Sequence, residues 1–125
     1  MTLPLLYPDE CGHILADLLH GNPGTRGIAV LDSSAHVVAD ILSSHGFPDI
    51  PLIAFDMTSG NRRCLQAGSV SAVIVQYPEI QGYNSVKSAI QYLLYKHKDN
   101  KISHKMPIGI IVAENLPYYR RFNGM

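Results

Sequence analysis

Short apolar runs alternate with amphipathic stretches along most of the chain, and this alternation restricts the possible folds more than any other feature. An apolar run of about four to six residues bounded by turn signals reads as a strand covered on both faces. A stretch with apolar side chains at i, i+3, i+4 and i+7 reads as a helix with one face against that sheet. Repetition of the pair predicts an α/β fold, Rossmann-like, with three αβα layers and a mostly parallel sheet of about five strands.

The elements can be placed one by one. Leu3 to Tyr7 is a weak first strand stopped by Pro8, and Asp9 can cap a helix that turns Cys11, Ile14, Leu15, Leu18 and Leu19 inward before Gly21 ends it. Gly27 to Leu31 is the second strand, and Asp32-Ser33-Ser34 opens a helix with Ala35, Val38, Ala39 and Leu42 on one face, closed at Gly46. Leu52 to Phe55 is the third strand, followed by Asp56-Met57-Thr58 and a short hydroxyl-capped helix that carries Cys64 and Leu65 inward and stops at Gly68. Ala72 to Val75 is the fourth. Gln76-Tyr77-Pro78 turns the chain into a longer helix whose apolar positions Tyr83, Val86, Ile90, Leu93 and Leu94 are expected to form a buried stripe, fading at Lys96 to Lys101. The last apolar run, Ile108 to Ala113, leads to Glu114-Asn115-Leu116-Pro117 and an aromatic-basic tail, Tyr118 to Phe122, with no evident partner inside the chain.

Totals narrow the function classes. A chain of 125 residues, 46% of them hydrophobic, suits one domain with its own core. Ten basic residues balance ten acidic ones, so no face is basic enough to neutralise a row of phosphates, and nucleic-acid binding by these residues alone is not expected. No apolar run approaches the roughly 20 residues of a spanning helix, so no membrane partner is expected. MTLPLLYPDE lacks the basic region and cleavage site of a signal peptide, which predicts a cytoplasmic location. Cys11 and Cys64 fall among apolar positions and read as buried thiols. The histidines show no metal-ligand spacing, Gly21-Asn22-Pro23-Gly24 precedes a strand rather than following one, and no serine sits in a G-x-S-x-G elbow. Neither metal, cofactor nor catalytic residues are expected, and the chain does not read as an enzyme.

What remains is a binding site. In an open parallel sheet, polar side chains just past the carboxyl ends of the strands share a crevice. Those positions hold Asp32, Asp56, Gln76 and the pair Glu114-Asn115. Carboxylates accept hydroxyl hydrogens and an amide both donates and accepts, so Asp32, Asp56 and Gln76 together suit a neutral polyhydroxylated ligand such as a sugar. Each also has a plainer reading, since Asp32 and Asp56 can serve as helix N-caps and Gln76 as a loop brace.

The stretch LIAFDMTSGNRRCLQAGSVSAVIVQYPEIQGYNSVKSAIQYLL, preceded by Pro51, resembles the second lobe of LacI/GalR-type transcription regulators and of the related periplasmic sugar-binding proteins. Its most specific pieces are the strand-end Phe55-Asp56 and the Q-x-P-x-x-x-G of Gln76 to Gly82; Gly27 to Ala39 and the closing IIVAENLPYY are similar in pattern. The resemblance implies one lobe of a two-lobe, type I periplasmic-binding-protein-like sensor, with Asp56 and Gln76 at the sugar-contacting acid and amide. Asp32 stands where such proteins usually carry asparagine. The first lobe and the N-terminal helix-turn-helix, through which alone such regulators touch DNA, are not among these residues. A carbohydrate effector, lobe closure and a homodimer are the implied function and partners; an exported sugar-binding protein is the alternative.

Two other classes stand beside it. A receiver-type signalling domain would need an acidic pair for magnesium and a strand-end lysine, whereas Asp32 and Asp56 stand apart and no lysine follows the fifth strand. A small α/β enzyme using either aspartate as general base would need a nucleophilic or electrophilic partner that the sequence does not supply.

Overall fold

Strong local signals set the element boundaries. In the computed structural model, which describes residues 8–95 and 105–119, the helices are α1 (Pro8–Gly21), α2 (Ala35–Ser44), α3 (Ser59–Ala67) and α4 (Pro78–Tyr95). The strands are β1 (Ile28–Ala29), β2 (Leu52–Phe55), β3 (Ala72–Val75) and β4 (Gly109–Ile111), and a 3-10 turn covers Leu116–Tyr118. α3 shows how little is left to chance. The Thr58 hydroxyl accepts the Asn61 N–H at 3.2 Å, which satisfies one orphan donor of the first turn. Gly68, at φ 82°, adopts the left-handed conformation that ends the helix and returns its N–H to the Leu65 carbonyl. The expected first strand at Leu3 to Tyr7, the polar stretch from Lys96 to Lys101 and the tail beyond Tyr119 lie outside the described residues.

The sheet runs in the order β1-β2-β3-β4. β1, β2 and β3 are parallel, linked through α2 and α3, whereas β4 is antiparallel to β3, with Val73 opposite Ile111 and Val75 opposite Gly109. The fold is therefore a mixed α/β one with a mostly parallel sheet. Periodicity marks a strand but carries no information on its direction, so β4 could not be oriented from the sequence.

Alternation along the strands defines the core. Leu52, Ala54, Val73 and Val75 are buried on one face, and the register sets Ala54 beside Val73. Helices α1, α2 and α3 close over that face with Cys11, Leu15, Leu19, Ala35, Val38, Ala39, Leu42, Cys64 and Leu65. Each leucine or valine among them contributes about 1.5–3 kcal/mol by leaving water. The other face is more open, with Ile53 and Ile110 exposed.

α4 departs from expectation. Its apolar stripe, Tyr83, Val86, Ile90, Leu93 and Leu94, is not buried but exposed, between 49% and 73%. Ile80 and the polar positions Gln81, Asn84, Ser88 and Gln91 are the half-buried ones, and the Asn84 amide donates to Met106 Sδ at 3.9 Å. An amphipathic pattern shows that a helix has an apolar side; it does not say what covers that side, and among the described residues nothing does.

Candidate functional site

Because β1, β2 and β3 are parallel, their carboxyl ends share one edge of the sheet, and so do the residues that follow them. β2 ends in Asp56. Its N–H still extends the ladder, donating to the Ile74 carbonyl at 2.9 Å, but its own φ is 64°, a left-handed backbone uncommon outside glycine. The chain turns sharply there and enters α3 through Thr58. β3 ends in Gln76, and the next residue, Tyr77, is left-handed too, at φ 50°. These are the two positive-φ residues other than glycine among the described residues. Such conformations persist only where surroundings enforce them, and they concentrate at binding sites.

Both turns open onto the same cleft of about 260 Å³. Asp56, Thr58, Gln76, Glu79 and Gln81 supply its polar side chains; Met57 and the rings of Tyr77 and Tyr119 supply apolar wall. The Tyr77 and Tyr119 rings lie 6.4 Å apart, centre to centre. The Gln76 carbonyl is occupied by the Gln81 amide at 2.8 Å, which braces the loop main chain while the exposed Gln76 side chain remains at the cleft. Two carboxylates and two amides, with no lysine or arginine among the described lining residues, oppose a phosphate or carboxylate ligand and suit one rich in neutral hydroxyls. A wider hollow of about 490 Å³ lies beside the end of β4, with Arg62 and Gln66 as its polar side chains and Ala113, Leu116 and Pro117 as its apolar ones.

The sequence candidates are not all brought together. Asp56 and Gln76 line the cleft. Asp32 follows β1 at the same edge, one strand farther out, and is not among the cleft residues. Its carboxylate accepts the Ser34 N–H at 2.8 Å and the Ser34 hydroxyl, and these two bonds hold its pKa below the ordinary aspartate value. Glu114 and Asn115 leave the rim altogether, because an antiparallel β4 ends at the opposite edge. There Asn115 clamps its own turn, accepting the Val112 N–H at 2.8 Å and donating to the Ile110 carbonyl at 3.0 Å.

Four contributors were not found by sequence reasoning. Glu79 and Gln81 sit in the first turn of α4, within the Gln76 to Gly82 motif, and were not singled out. Tyr119 was read as part of a tail without a partner; instead Leu116 is buried in the core and Tyr119 reaches Tyr77. Asn61 is wholly buried behind the site and bonded to the Asp56 carbonyl. A lone asparagine in the first turn of α3 gave no signal.

No protein-family profile and no curated protein matches the sequence. Solved structures do. A protein from Bacteroides fragilis assigned to the LacI transcriptional regulators aligns at 30% identity and TM-score 0.75, over 87% of this chain and 38% of its own. The glucose-galactose binding protein GanP of Geobacillus stearothermophilus aligns at 25% identity and TM-score 0.72, over 86% of this chain and 39% of its own. The fold is that of a periplasmic-binding-protein-like lobe. The Caulobacter myo-inositol binding protein shares it at TM-score 0.73 and 20% identity, over 94% of this chain and 41% of its own. The chain spans about two-fifths of the length of these structures. They include a regulator and sugar-binding proteins of transport systems alike.

Proposed function

We propose that this chain is the carbohydrate-sensing half-site of a LacI-type transcription regulator. The observation that carries the reading is the meeting of Asp56 and Gln76, from the ends of two adjacent parallel strands, in one cleft walled by Tyr77 and Tyr119. Asp56 accepts hydroxyl hydrogens, Gln76 donates and accepts, and the tyrosine rings offer apolar surface to the C–H face of a sugar. The Bacteroides fragilis regulator supports the regulatory assignment, and structures bound to D-arabinose, D-fucose and myo-inositol support the ligand class. In the intact protein a second lobe closes over the sugar, and the closed state, favoured by its extra contacts, shifts the affinity of a DNA-binding domain for its operator. A cytoplasmic homodimer belongs to this reading. The apolar stripe of α4, unburied among the described residues, supports an intermolecular contact.

The sugar-binding proteins among the similar structures favour a second reading, a lobe of an exported binding protein with the same ligand chemistry. Gel-shift of the full-length gene product on its own promoter DNA, with and without sugar, separates the two: a sugar-sensitive shift supports the regulator, and no DNA affinity in either state removes it.

The site itself is tested by titrating the ¹⁵N-labelled chain with D-glucose, D-galactose, D-arabinose and myo-inositol. A half-site leaves much of the sugar wet, so binding in about the millimolar range is expected, with resonance shifts centred on Asp56, Gln76, Tyr77 and Tyr119. Shifts confined to another surface, or a nanomolar complex with this chain alone, would contradict the split pocket.

A further inference from the structure

We infer that Gly109 is a positioning residue for this cleft, acting through Tyr77 on the side chain of Gln76; the inference rests on the carbohydrate reading for its ligand but not for its geometry. Gly109 opens β4, opposite Val75 at the end of β3. A Cβ at Gly109 would stand 2.5 Å from Tyr77 Oη, 3.2 Å from its Cζ and 2.8 Å from Val75 Cγ2. The phenol end of Tyr77 therefore lies against the start of β4, in space that a Cβ at this position would enter.

The ring's seat matters because of the backbone it holds. A left-handed conformation costs a bulky L-residue about 1–2 kcal/mol, and Tyr77 keeps it at φ 50°. Contacts must supply that energy. Tyr77 packs against the core cluster, beside Tyr119 and across Gly109. Its carbonyl accepts the Ile80 and Gln81 N–H groups at 3.0 and 3.2 Å, so the same residue also starts α4. Gln76 is joined to Tyr77 by one peptide bond, and the direction of that bond fixes where the Gln76 side chain points. If the ring is pushed off β4, the support for the left-handed turn goes with it, and Gln76 swings away from Asp56. Gly109 lies 33 positions from Gln76 in the chain (109 less 76), and nothing in the local sequence pattern connects them.

A double-mutant cycle on the labelled chain tests this. Gly109→Ala is expected to displace the Gln76 side-chain amide resonances without sugar present, and to weaken the D-galactose-induced shifts by about tenfold in affinity. The atom nearest the added methyl is Oη, so in a Tyr77→Phe background the same Gly109→Ala change should do less of both, the contact with Val75 Cγ2 at 2.8 Å being common to the two backgrounds. Additive effects in the cycle, or an unmoved Gln76 amide in Gly109→Ala, would overturn the inference. If Gly109→Ala does not fold, Tyr77→Leu removes the ring from its seat without touching β4, and the Gln76 amide must move there too or the inference fails. A wild-type chain that binds none of the sugars counts against the carbohydrate reading alone, since the sugar-free resonances still decide the positioning.

Discussion

Asn61 holds the main chain of Asp56 from inside the protein. Its amide nitrogen donates to the Asp56 carbonyl at 2.9 Å and to the Phe55 carbonyl at 3.0 Å, while its oxygen accepts the His36 N–H at 3.0 Å. One fully buried side chain thus ties the left-handed turn after β2 to the first turn of α2. The polar end of the sheet is built as a unit, not as separate loops.

Removing that tie should be expensive. Asn61→Ala takes a partner from the Phe55 carbonyl and the His36 N–H behind the site, while the Asp56 carbonyl keeps the Thr58 N–H at 3.0 Å, which predicts a loss of about 1–3 kcal/mol in urea unfolding. Asn61→Asp keeps the acceptor for His36 but loses both donors, and should also disturb the Asp56 amide resonance. A loss near zero in both variants would show that water replaces the side chain and that the tie is dispensable.

Backbone and charge can be separated at Asp56. Asparagine tolerates the left-handed conformation, so Asp56→Asn is expected to stay within about 0.5 kcal/mol of the wild type while sugar-induced shifts weaken. Asp56→Val must force a β-branched residue to φ near 64° and should lose about 1–2 kcal/mol more. Gln76→Ala, at an exposed position, should leave the unfolding midpoint in place and abolish the response to sugar. Equal stability of the Asn and Val variants would mean that the turn carries no strain.

Asp32 predicts a pH dependence of defined sign. The Ser34 hydroxyl and N–H favour its ionised form, so its folded-state pKa lies below the unfolded value. The unfolded chain then binds the proton more readily, and the stabilisation is present above the ordinary aspartate pKa of about 3.9 and is lost as pH falls through the lower folded value. ¹³C titration of the Asp32 carboxyl should report the depressed value. The acid-side loss should shrink in Asp32→Asn and in Ser34→Ala. An undepressed carboxyl would refute the bond to Ser34, which is solvent-exposed and hence modest in energy.

The legibility of this chain followed the physics of each signal. β2 and β3 were read to the residue, and the core positions of α2 except Ile41, because apolar periodicity and caps such as Thr58 are local properties. Asp56 and Gln76 were readable because the parallel order of β1 to β3 fixes where strand ends go. What failed was non-local. The direction of β4 moved Glu114 and Asn115 to the far edge, the return of Tyr119 came from packing of Leu116, and the outward stripe of α4 depends on a surface that no pattern names. Asp32 shows the limit of motif reasoning: its place on the rim was right, yet its carboxylate is engaged with Ser34.

That outward stripe yields the last prediction. Tyr83, Val86, Ile90 and Leu93 follow one another at spacings of three, four and three, the seam of a helix pair, and all four are exposed. The only charged residues on α4 are Glu79 and Lys87, so two copies would meet without strong like-charge repulsion. If the homodimer forms along this seam, sedimentation equilibrium should show concentration-dependent association of the wild-type chain. Leu93→Asp should return it to a monomer by placing a carboxylate in the contact. Leu93 is 73% exposed, so its replacement removes no core packing, and the monomer's thermal midpoint should change little. A wild-type chain that stays monomeric into the high micromolar range would leave the stripe to some other occupant and take the homodimer out of the proposed function.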